Sequence, residues 1–88
     1  MTRAEELENL IANVIQEINR SELKNGRGYA SMHEAFAVLL EEVDELKNEV
    51  WKRSHNRSGH QLRSEALQIA AIALRIAEDC MDPKHLKR

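Results

Sequence analysis

Apolar residues recur at helical spacing in three segments, separated by the strong breakers Gly26, Gly28, Gly59 and Pro83. The first segment, from about Thr2 to Arg20, places Leu7, Leu10, Ile11, Val14, Ile15 and Ile18 on one helical stripe. Thr2 suits an N-cap, with Glu5 at capping-box spacing. Positions 21–30 carry Ser21, Asn25, Gly26 and Gly28 and read as a loop. The second segment opens on Ser31-Met32-His33-Glu34, again Ser-x-x-Glu, and its expected buried stripe is Phe36, Leu39, Leu40, Val43, Leu46 and Val50. It should fade near Lys52 and Arg53, where cations suit the C-terminal dipole. Positions 54–60 form a second loop, and the third helix should run from Gln61 to Cys80, ahead of Asp82-Pro83. The expected architecture is all-α, a helical bundle of three main helices in a single domain over positions 1–88, with 83–88 a mobile basic tail.

Size adds a requirement. A chain of 88 residues with three aromatics (Tyr29, Phe36, Trp51) buries little core of its own. The third helix has one polar residue between Leu67 and Leu74, so it should be covered on more than one side. Both features predict a homo-oligomer, a dimer or tetramer whose partner subunits complete the bundle. The one cysteine, Cys80, excludes an internal disulfide framework and a cysteine-based zinc site. With 13 Lys+Arg against 15 Asp+Glu there is no chain-wide reason to coat DNA, RNA or an anionic membrane. The third helix is also too apolar for a recognition helix. The longest apolar run, Ile69 to Leu74, is far short of the roughly 20 residues of a membrane span. The charged N-terminus does not read as a secretory signal, and a cytoplasmic protein is expected.

The chemistry concentrates between Leu40 and Glu49, where five acids occur with one lysine. At about 100° per residue Glu42, Glu45 and Glu49 share one edge of the helix, bordering the core. Glu41 and Glu45 are like charges at i, i+4, a repulsion that a divalent cation would reverse. Glu65 stands among Ile69, Ile72 and Ile76 on the third helix, where a carboxylate is costly unless paired or metal-bound. Two outcomes are open for it: an ion pair with Arg63, Arg75 or a partner chain, or a shared cation. Antiparallel packing of the second and third helices would bring Glu65 and Gln68 to Glu42 and Glu45. Carboxylate-metal sites are assembled this way from facing helices, and Mg²⁺ prefers such oxygens. The bland alternative is a solvated acidic stripe on a plain structural bundle.

The pair Glu42-Val43-Asp44-Glu45 and Glu65-Ala66-Leu67-Gln68 resembles the Glu-x-x-Glu and Glu-x-x-Asp of the MazG-like all-α nucleotide pyrophosphohydrolases. The similarity covers roughly Tyr29 to Cys80 and includes the Ser31-Met32-His33-Glu34-Ala35-Phe36 entry. The resemblance implies Mg²⁺ held by Glu42, Glu45 and Glu65. It also implies a water oriented or deprotonated by Glu41, and hydrolysis of a nucleoside triphosphate to the monophosphate and pyrophosphate. Gln68 stands where the family has Asp. An amide oxygen can still coordinate Mg²⁺ but brings no charge, so the site should hold metal more weakly or hold fewer ions. A non-catalytic module of the same kind, binding a nucleotide or a protein, is therefore the alternative.

Around this centre, Lys52, Arg53, Arg57 and Arg63 either receive a triphosphate tail or simply solubilise a loop. Trp51 either stacks on a base or packs half-buried at a helix end. His33 either faces the site or caps the second helix. His55 and His60 read as solvated.

Overall fold

The computed structural model describes residues 1–26 and 28–86. Three long helices, α1 (Arg3–Asn25), α2 (Met32–Val50) and α3 (Gly59–Asp79), precede a single turn, α4 (Pro83–Leu86); a 3-10 turn, Ser54–Asn56, lies between α2 and α3. No strand occurs among the described residues. The fold is all-α with three packed helices, as the periodicity predicts. No helix among the described residues is long and apolar enough to cross a membrane.

Local chemistry starts each helix. The Thr2 hydroxyl accepts the Glu5 N–H and the Glu5 carboxylate accepts the Thr2 N–H, the full capping box. Ser31 caps α2 through the Glu34 N–H at 3.1 Å, but the return arm of Glu34 takes the Ala30 N–H. Ser58 caps α3 through the Gln61 N–H. The start of α3 thus lies two residues ahead of the expected Gln61. The first helix continues to Asn25 rather than stopping at Arg20, because Ser21 to Asn25 lacks a true breaker. It ends where Gly26 adopts φ +80°, a left-handed conformation that disfavours any side chain. The chain from Pro83 to Leu86 forms a helical turn, and Lys87 and Arg88 of the expected tail lie outside the described residues.

The third helix is the centre of the layer: α1 and α2 each pack against it. The apolar core is Val14, Ala35, Ala71 and Ile72. The face that α2 turns inward is not the expected stripe. Ala35 and Glu49 are buried, with Val38, Leu39, Glu42 and Leu46 half-buried, while Phe36 (57% exposed), Leu40, Val43 and Val50 stand outward. Around the helix axis the inward face is centred near Glu42, about 100° from Val43. On α1, likewise, Val14 is buried and Leu10 and Ile18 are half-buried, while Leu7, Ile11 (56% exposed) and Ile15 form an exposed i, i+4 row.

The molecule is more open than its mass requires. Its accessible surface is 6660 Å², whereas a compact 10.1 kDa protein exposes about 5,300 Å². Its radius of gyration is 14.7 Å, against about 12 Å for a compact domain of this length.

A buried arginine ties the layer together. Arg75 of α3 is 6% exposed; one terminal nitrogen donates to the Ser21 hydroxyl of α1 at 3.1 Å and to the Tyr29 hydroxyl at 3.3 Å. The guanidinium also lies over the Tyr29 ring, 4.4 Å from its centroid. Burial raises the Tyr29 phenol above its ordinary value. Replacing Arg75 with Ala should lower the unfolding free energy by about 2–3 kcal/mol in a chemical-denaturation measurement, since two half-buried hydroxyls lose a charged donor. Removing the exposed Arg20, which pairs only with Glu17, should change little.

Candidate metal centre

Glu42, Glu45 and Glu65 converge across the α2–α3 contact, each offering one carboxylate oxygen within 4.8 Å of the other two. Oxygens on opposite sides of one divalent cation stand ~4–5 Å apart, so a single ion can bridge the three. Glu65 is 4% exposed, Glu42 half-buried and Glu45 exposed, so the cluster opens toward solvent on the Glu45 side.

The polar accounting of this cluster does not close. The Gln61 side-chain amide donates to Glu65 Oε1 at 2.5 Å. Glu65 Oε2 and Glu42 Oε2 are buried and have no hydrogen-bond partner. No ion pair reaches Glu42, Glu45 or Glu65 among the described residues, so neither Arg63 nor Arg75 neutralises Glu65. Burial, a contact with Glu65 that becomes a hydrogen bond only on protonation, and the nearby Glu45 push the Glu42 carboxyl up to about 7. Glu45 is raised as well, first by the same kind of contact with Glu65 and then by its charge.

Glu49, one turn beyond Glu45, shows how a carboxylate is settled at the same interface. It is 3% exposed; Oε1 accepts the Ser58 N–H at 2.7 Å and Oε2 pairs with Lys52 Nζ at 2.5 Å. Lys52 first, then the Ser58 N–H, hold its carboxyl below the ordinary range. Two acids of one interface are thus in opposite states: Glu49 is provided with donors, and Glu42 is not.

Cavities flank the cluster. One of about 410 Å³ between the three helices is lined by Glu42 and Gln68 and also by Arg20, Tyr29 and Arg75. The other, an open groove of about 350 Å³, holds Glu45, Glu65, Gln61, Glu49 and Lys52. The structure therefore brings together Glu42, Glu45 and Glu65, sets Gln68 and Glu42 on the wall of one cavity, and sets Lys52 in the groove. Glu41 is exposed and outside the three-acid group. His33, Trp51 and Arg53 are exposed and line neither cavity. Trp51 is 74% exposed, with Lys47 Nζ 4.6 Å from a ring centroid, so it is not packed half-buried. Sequence reasoning did not single out Gln61 or the cap made by Glu49, although Gln61 and Glu65 stand at i, i+4.

In comparisons with protein families, with curated proteins and with solved structures, the chain matches none.

The raised carboxyl sets a pH dependence. Glu42 binds its proton more tightly in the folded chain than at its ordinary value of 4.5. Its contribution is therefore complete below pH 4.5 and is lost as pH rises through about 7. Metal-free protein should lose thermal stability across that window, and Mg²⁺ or Mn²⁺ should restore it at pH 8. In Glu42→Gln the slope should flatten and the metal effect vanish. An amide donating to Glu65 should then raise the metal-free midpoint at pH 8 by ~4–8 °C per kcal/mol gained, as read by thermal unfolding in EDTA.

Proposed function

We propose that the acidic centre holds a divalent cation, Mg²⁺ in the cell, and that the protein is a nucleoside triphosphate pyrophosphohydrolase. The observation that carries this reading is the convergence of the Glu42, Glu45 and Glu65 carboxylates within bridging distance, with a buried, partnerless oxygen on both Glu42 and Glu65. A proton or a cation can satisfy them, and a cation serves all three groups at once. The resemblance of Glu42-Val43-Asp44-Glu45 and Glu65-Ala66-Leu67-Gln68 to the MazG-like pattern supplies the reaction.

Bound there, Mg²⁺ would neutralise phosphate charge and lower the pKa of a coordinated water. The chain itself would do the positioning. Glu42, Glu45 and Glu65 hold the ion, and Gln68 adds a neutral oxygen from the cavity wall. The cavity between the helices offers room for the organic part of the ligand, with Lys52 near the groove as a cation for phosphate oxygens. Glu41, exposed beside Glu42, is the acid assigned to orient or deprotonate the attacking water. That water adds to the α-phosphorus, the bridging oxygen leaves with the β-phosphate, and the products are the monophosphate and pyrophosphate.

Pyrophosphate release from a panel of canonical and modified nucleoside triphosphates tests the reading. Wild type should be active with Mg²⁺ and silent in EDTA, and Glu42→Gln and Glu65→Gln should each lose at least ~100-fold in kcat/KM.

Gln68 supports a second reading, a non-catalytic module that binds a nucleotide or a protein. It faces the cavity beside Glu42 where a fourth charge would sit. If the site is a weakened catalyst, Gln68→Asp should raise Mg²⁺ affinity and turnover together; a silent wild type with nucleotide binding intact selects the module.

The partner we propose is a second copy of the chain. The outward rows Leu7, Ile11, Ile15 and Phe36, Leu40, Val43 are apolar and uncovered. The excess accessible surface, about 1,400 Å², exceeds the ~800 Å² per partner of a standard interface. Light scattering should report a dimer or larger, and Ile11→Glu combined with Phe36→Glu should shift it to monomer.

A further inference from the structure

We propose that Gln61 is a positioning residue for the metal centre, aiming Glu65 at the ion; this rests on the reading that the acidic cluster holds a divalent cation. Gln61 Nε2 engages Glu65 Oε1 at 2.5 Å, Glu65 Oε2 is buried and without a partner, and the Glu65 carboxylate lies against those of Glu42 and Glu45. The amide nitrogen rather than its oxygen must face the carboxylate, since two unprotonated oxygens would repel.

Gln61 is itself held in place. Its backbone N–H donates to the Ser58 hydroxyl at 3.1 Å, and the Ser58 N–H donates to Glu49 Oε1 at 2.7 Å. Glu49 is fixed to Lys52. This chain of bonds runs from α2, one turn past Glu45, into the first turn of α3 and on to Glu65. One network therefore sets where α3 begins and which way Glu65 points. A lysine at 61 would also hold Glu65 but would bring a positive charge against the ion. A glutamate would add a fourth negative charge with no donor. Glutamine orients the ligand and leaves the charge of the site unchanged, which is the usual task of a group hydrogen-bonded behind a metal ligand.

The test is Mn²⁺ affinity, measured by electron paramagnetic resonance and calorimetry on wild type, Gln61→Ala and Gln61→Met, with unfolding midpoints in EDTA alongside. Methionine keeps the length of the side chain and removes the donor. Both variants should bind Mn²⁺ roughly 10–100-fold more weakly at a temperature where each is fully folded, and their metal-free midpoints should fall alike, because buried Glu65 loses its one donor in each. If Gln61→Met binds Mn²⁺ as tightly as wild type, Gln61 has no positioning role, and the metal reading stands without it. If wild type itself binds no Mn²⁺, the metal reading falls and the inference falls with it. Should alanine disturb the start of α3, the methionine variant decides.

Discussion

Two carboxylates on facing helices, Glu42 and Glu65, meet with a buried oxygen on each that nothing donates to. Everything distinctive about this molecule depends on that contact. A buried acid can be settled by donors, by a proton or by a cation. The protein shows that it can supply donors, because Glu49 receives a backbone N–H and a lysine within the same interface. For Glu42 and Glu65 it supplies Gln61 alone, to one oxygen of one acid. The contact is therefore a local instability, and its value lies in what it accepts.

The fold is arranged around that cost. Among the described residues seven side chains are buried: the apolar Val14, Ala35, Ala71 and Ile72, and the charged Glu49, Glu65 and Arg75. So small an apolar core does little to offset charged groups, and the charged groups are accordingly networked. Arg75 joins α3 to Ser21 and Tyr29, and Glu49 joins α2 to the start of α3. These two clasps lie on either side of the acidic cluster along α3, at positions 58 and 75. They hold fixed the helix that carries Glu65, and an acidic pair that repels itself needs such a frame to stay assembled.

The helices, the Thr2 and Ser31 caps and the meeting of Glu42, Glu45 and Glu65 were legible in the sequence, because each rests on local spacing or on one antiparallel packing; the Ser58 cap of α3 was not. The inward face of α2 was not. Periodicity finds the most apolar stripe, here Phe36, Leu39, Leu40, Val43, Leu46 and Val50, of which only Leu39 and Leu46 turn partly inward, and apolarity says that a stripe seeks cover without saying which element covers it. Within the chain α3 instead takes the face with Ala35, Glu42 and Glu49. The extra turn of α1 was hidden for a related reason: Ser21 and Asn25 have loop-forming character, yet only a glycine at positive φ actually ends the helix. Gln61 was overlooked, and Arg75 was offered to Glu65 although it bonds Ser21 and Tyr29, because a polar residue on a helix gives no sign of its partner until the neighbouring helix is placed.

Gln68 settles how the centre differs from one with four acids. Three carboxylates against one divalent cation leave a net charge of about −1, which a single ion tolerates beside buried apolar residues. A fourth carboxylate would bring the deficit to about −2 and call for a second cation, as in centres that grip both the attacking and the leaving oxygen. With an amide on the wall of the cavity that Glu42 also lines, a bound cation would need no second ion beside it. The remaining phosphate charge then falls to the protein's own cations. Lys52 is already committed to Glu49 in the groove, while Arg75 is held between Ser21 and Tyr29 in the cavity. Drawing on Lys52 would loosen the α2–α3 contact and drawing on Arg75 the α1–α3 contact, whereas Arg20, exposed in the same cavity and paired only with Glu17, is the cation a phosphate could engage without loosening a contact between helices.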